Sequence, residues 1–144
     1  MTGEEARRRF ASASVARLAT VGADGRPHVV PIVFAVEGDT IYSAVDQKPK
    51  RTTKLRRLAN IEANPKVSVL VDHYEDDWQK LWWVRADGRA EILEASAANK
   101  AIDRLAERYE QYVAERPAGP VLAIEVERWS GWSAEQQEGD RTAL

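Results

Sequence analysis

The chain has no cysteine, which excludes disulfides, thiolate metal sites and cysteine nucleophiles, and fits a reducing compartment. Histidine is almost as scarce. His28 and His73 are the only two, far apart and in no metal-ligand spacing, so no metal is expected. His-Glu-x-x-His, Gly-x-Ser-x-Gly, a phosphate-binding P-loop and Gly-x-Gly-x-x-Gly are all missing. Asp76 and Asp77 read as a solvated turn, and no residue stands out as a catalytic acid or nucleophile. No apolar run reaches membrane-spanning length, and the charged first nine residues lack the apolar stretch of a secretion signal. A soluble, cytoplasmic chain with no membrane partner is the expectation.

Excess charge is missing too. The net charge is −2 at pH 7, which argues against nucleic acid as a partner. The 144 residues suffice for a single domain over 1–144, with the polar residues 133–144 as a flexible tail.

Against that background one segment is conspicuous. Lys48, Lys50, Arg51, Lys54, Arg56 and Arg57 are six basic side chains with no acid between them. They fall after an expected strand and at an expected helix start, with Thr52 or Thr53 as the cap and the helix running to about Ala63. A helix N-terminus carries partial positive charge, so added cations are unfavourable there unless an anion is bound. At helical spacing Lys50, Lys54 and Arg57 share a stripe bordering Leu55, Leu58 and Ile61, where they would line a groove. A phosphate-bearing ligand follows; a solvated helix face is the plainer alternative.

The rest of the pattern predicts a helix over 3–13 and a strand over 14–21. A turn at Asp24-Gly25 follows, then a nearly continuous apolar strand over 28–36, buried on both faces, with Pro31 at an unpaired position or bulge. A turn at Glu37-Gly38-Asp39 leads to a strand over 40–44, completing a three-stranded meander. Strands follow over 66–72, 78–93 (with Asp87-Gly88 as turn or bulge) and 121–127, and one helix over 95–115. Hairpin-connected strands with interspersed helices predict an antiparallel β-barrel with helices outside. Of five tryptophans, Trp78, Trp82 and Trp83 cluster, while Trp129 and Trp132 follow the last strand. They serve either packing or as walls for a flat conjugated ring, and adjacent Trp82 and Trp83 must face opposite ways.

These segments together resemble the pyridoxamine-5′-phosphate-oxidase-like split β-barrel flavoproteins, and within them the actinobacterial branch that uses the deazaflavin coenzyme F420. The resemblance is carried by Ala16-Arg17-Leu18-Ala19-Thr20, Asp24-Gly25-Arg26-Pro27, Val30-Pro31-Ile32 and Lys54-Leu55-Arg56-Arg57-Leu58. It continues through Asn64-Pro65-Lys66-Val67-Ser68-Val69, the stretch from Asp77 to Gly88, and Trp129-Ser130-Gly131-Trp132. It implies a mainly β, FMN-binding-protein-like split barrel that is a homodimer with cofactor sites at its interface. It also implies that Lys50, Arg51 and Lys54 hold the cofactor phosphate, with Thr52 and Thr53 as hydroxyl or cap donors. The stretch from Lys54 to Asn64 is longer than in several relatives, which shifts the phosphate contacts toward Arg56 or Arg57. The ring is implied to lie against Val30, Pro31, Ile32 and Val33, with the region of Trp78 reaching across the interface. The function so implied is F420-dependent hydride transfer to or from a conjugated small-molecule substrate. An FMN-dependent oxidase or reductase on the same fold, or a non-enzymatic cofactor- or haem-binding protein, are the alternatives.

Overall fold

The computed structural model describes residues 1–45 and 55–135. Its strands are β1 (Ala16–Val21), β2 (Pro27–Ile32), β3 (Ala35–Glu37), β4 (Thr40–Ala44), β5 (Lys66–His73), β6 (Trp82–Leu93) and β7 (Val121–Ser133). Helices are α1 (Gly3–Ser12), α2 (Arg56–Ala63), α3 (Asn99–Arg108) and α4 (Glu110–Ala114). The strands form one antiparallel sheet in the order β2-β1-β5-β6-β7-β4-β3. Its two edges, β2 and β3, are joined only by Val33 and Phe34. That connection spans at most about 11 Å between the flanking Cα atoms, so the sheet has to roll until its edges approach. The result is the expected split barrel with flanking helices.

The expected strand over 28–36 is therefore two strands, and the meander is two hairpins at opposite edges. Both hairpin turns keep a glycine at positive φ, Gly25 at +77° and Gly38 at +60°, where a side chain would be strained. Phe34 explains the break. It is fully buried, and its N–H and C=O bond to the Tyr109 hydroxyl and the Arg108 guanidinium instead of to a strand. β2 is also not buried on both faces: Val30 and Ile32 turn inward, while Val29, Pro31 and Val33 are exposed. As an edge strand β2 pairs only with β1, and there Pro31 costs no ladder bond on the outer side.

The core fills the barrel with one face of each strand: Leu18, Ile32, Ile41, Val69, Val84 and Ile124 are all buried. α1 begins at Thr2, whose hydroxyl accepts the Glu5 N–H at 3.1 Å, and buries Ala6 and Phe10 one turn apart. Phe10 meets Phe34 and Trp129 with ring centroids 4.9 and 5.3 Å away. α2 enters at Leu55, which packs on the core and makes no side-chain cap hydrogen bond, and the caps expected at Thr52 or Thr53 lie outside the described residues. The stripe expected to join Lys50 and Lys54 to Arg57 falls on residues outside the described ones. Asn60 of α2 is buried and donates to the Thr20 hydroxyl at 3.0 Å, tying the helix to β1.

Three further elements differ from the sequence reading. Residues 78–80 form a 3₁₀ turn, and β6 starts only at Trp82. The expected helix over 95–115 is a 3₁₀ turn followed by α3 and α4, broken at Tyr109, whose extended backbone aims its hydroxyl at Phe34. β7 continues to Ser133 and so carries both Trp129 and Trp132. Asp87-Gly88 marks a bulge: Asp87 faces Arg128 and Gly88 faces Val126, leaving Glu127 as the extra residue.

Candidate functional site

Because side chains alternate along a strand, whatever does not fill the barrel lies on its outer face. Across β2, β1, β5 and β6 the registers align Pro31, Arg17, Leu70 and Arg85 in one row. The adjacent row is Val29, Ala19, Ser68 and Asp87, and on the other side Asp72 stands opposite Trp83. This face carries an open groove of about 480 Å³. Arg17, Ala19, Val29, Leu70, Trp83 and Arg85 are among its lining residues. That volume lies within the range of about 300–1,000 Å³ typical of small-molecule sites.

The floor is small and apolar, and charge sits at its sides. Arg17 approaches Asp72 at 3.8 Å, and the Arg85 Nε donates to Asp87 at 3.1 Å. Asp87 also accepts the Ser68 hydroxyl at 2.6 Å, and the Arg85 guanidinium lies 5.7 Å from the centre of the Trp83 ring. These ion pairs are partly exposed and add little to stability. What they do is fix where the guanidinium groups sit.

The residues anticipated from the sequence divide. Pro31 and Val33 lie on the outer face, whereas Val30 and Ile32 pack inward, with Ile32 buried in the core. The side chains of Val30 and Ile32 are therefore not available to a ring on this face. Trp78 is 77% exposed in the connection between β5 and β6. Arg57 occupies the first turn of α2, which has no acidic residue and no side-chain cap. Lys50, Arg51, Thr52, Thr53 and Lys54 lie outside the described residues. Trp83 faces the groove while Trp82 packs toward the core beneath Arg9, as their adjacency requires. Arg17, Ala19, Leu70 and Arg85 escaped the sequence reading, although the two-residue period of their strands encodes which side they face.

Among the described residues no cluster of side chains is fit to hold a metal ion, and no helix is long and apolar enough to cross a membrane. The groove is walled by Trp83 and flanked by the guanidinium groups of Arg17 and Arg85. The family model described as pyridoxamine 5′-phosphate oxidase matches residues 2–133, and the chain belongs to that family. Among solved structures, a conserved hypothetical protein of Mycobacterium tuberculosis is 26% identical, with a TM-score of 0.75 over 94% of this chain and 86% of that one. An FAD-binding protein of Mesorhizobium loti is 25% identical, with a TM-score of 0.68 over 91% and 94%. HutZ, the haem storage protein of Vibrio cholerae, shares the fold at 20% identity and a TM-score of 0.69 over 92% and 95%. No functionally curated protein matches the chain.

Proposed function

We propose that this protein is an oxidoreductase that holds the ring of coenzyme F420 on the outer face of β2, β1, β5 and β6 and exchanges a hydride with a conjugated small molecule. The observation that carries the reading is the groove itself: an apolar floor of Ala19, Val29 and Leu70, walled by Trp83 and flanked by Arg17 and Arg85. When bound, the ring supplies the hydride chemistry, which suits a sequence in which no residue stands out as a catalytic acid or nucleophile. Leu70, Val29 and Trp83 offer it a dry surface. Arg57, with Lys50, Arg51 and Lys54, supplies cations for the phosphate, and Thr52 and Thr53 supply hydroxyl donors. Six basic residues exceed what one phosphate needs, and the additional carboxylates of the F420 side chain would use the remainder.

The same reading makes the protein a homodimer through this face. Val29 and Tyr74 are each 61% exposed at the groove, and a second copy would cover them and shut water out. A flavin nucleotide, FMN or FAD, is the second reading, favoured by the FAD-binding relative.

Titration of the tryptophan fluorescence with F420, FMN and FAD in parallel tests the proposal, with Lys54→Ala as control. Saturable F420 binding that exceeds flavin binding and weakens in the variant supports it. Preference for FMN or FAD moves the protein to the flavin reading, and binding of none of the three refutes both.

A further inference from the structure

Arg85 differs from every other cation at the groove in how tightly it is held. Its Nε donates to Asp87 at 3.1 Å, and Asp87 is pinned by the Ser68 hydroxyl at 2.6 Å on the neighbouring strand. Its planar head stands over the Trp83 ring at 5.7 Å. Ser68 and Asp87 are direct cross-strand partners, and Arg85, Asp87 and Trp83 alternate on one face of β6, so the whole assembly is built on sheet positions. Among the described residues neither terminal nitrogen of Arg85 has a protein partner. Arg17, by contrast, meets Asp72 only at 3.8 Å, although the two pairs are similarly exposed.

A guanidinium anchored through Nε presents its two terminal nitrogens as a fork, the geometry that matches two coplanar oxygens. Its place at the side of an apolar floor means that the rest of such a ligand would lie flat over the ring that Leu70 and Ala19 carry. We propose that Arg85 determines substrate specificity and that the substrate is a planar, conjugated carboxylate whose two oxygens dock on this fork. Asp87 and Ser68 act through Arg85 as positioning residues. The inference rests on the reading of this face as the cofactor and substrate face. The carboxylates of the cofactor itself are the other source of the same chemistry.

The test is calorimetric binding of cinnamate and of its neutral analogue cinnamamide, to the protein alone and to the protein loaded with F420. Cinnamate is expected to bind at least about tenfold more tightly than cinnamamide, the scale of one charge-assisted pair. Arg85→Gln should abolish that preference and Arg85→Lys, which keeps charge but loses the fork, should reduce it. In either variant the cinnamate preference should fall by a larger factor than F420 affinity does. Thermal unfolding of both variants controls for folding. Equal binding of the two probes, or a preference that survives Arg85→Gln, overturns the proposal. So does a fall in F420 affinity in Arg85→Gln as large as the fall in the cinnamate preference, which would assign the fork to the cofactor. The arm without cofactor stays readable if F420 does not bind, so this inference and the cofactor reading fail separately.

Discussion

The Tyr109 hydroxyl holds both backbone polar groups of Phe34: it accepts the N–H at 3.0 Å and donates to the C=O at 2.7 Å. This one side chain lets the chain leave the ladder between β2 and β3 without stranding a buried amide, and it also accounts for the break between α3 and α4. The opening of the barrel and the interruption of the helix have one cause.

Tyr109→Phe should therefore destabilise the protein by about 1–3 kcal/mol, the cost of leaving a buried donor unsatisfied. The N–H carries most of that cost, because the Phe34 C=O keeps the Arg108 guanidinium at 2.8 Å. Urea unfolding measures it. An unchanged midpoint would mean that water replaces the hydroxyl.

Gly88 is the tightest backbone approach at the bulge. A Cβ built there would lie 2.1 Å from the Glu125 carbonyl oxygen and 2.9 Å from its carbon, both backbone atoms. Gly88→Ala should cost about 3 kcal/mol or more, since neither strand can yield without breaking the ladder. The fall in thermal midpoint reads it directly.

Asn60 and Thr20 form the buried hydrogen bond between α2 and β1. Asn60→Ala and Thr20→Val should each destabilise by about 1–3 kcal/mol, and the double variant by less than their sum. Strict additivity in a double-mutant cycle would show that the two do not act as a pair.

Much of this fold was legible in the sequence, for identifiable reasons. Asp24-Gly25 and Gly38 announced both turns, because each needs a residue at positive φ. The alternation of Val67, Val69 and Val71 announced β5. The break at Phe34 was not legible: it depends on a hydroxyl 75 positions away, and no local pattern of apolar residues records it. The same limit applies to the groove. The basic run at residues 48–57 stands out as a cluster along the chain, but Arg17, Leu70 and Arg85 come from three strands and meet only through register.

The first turn of α2 offers a trade-off that a structural role for its cations would not produce. Arg56 is exposed at a helix start whose first turn has no acidic residue. Arg56→Glu should raise stability by about 0.3–1 kcal/mol through the helix dipole. It should at the same time weaken binding of the phosphate-bearing cofactor. Unfolding and fluorescence titration of the same variant check both signs, and a gain in stability without loss of affinity would remove this helix end from the site.

The central claim is that the outer face of β2, β1, β5 and β6 receives the cofactor ring. Leu70→Asp tests it most directly, because Leu70 lies mid-row between Arg17 and Arg85 and outside the barrel core. The measurement is F420 and FMN affinity by tryptophan fluorescence, with circular dichroism to show an intact fold. A folded variant whose affinity for its cofactor falls by tenfold or more, about 1.4 kcal/mol or greater, is expected. Unchanged affinity in a folded Leu70→Asp variant would contradict the claim and place the ring elsewhere on the barrel.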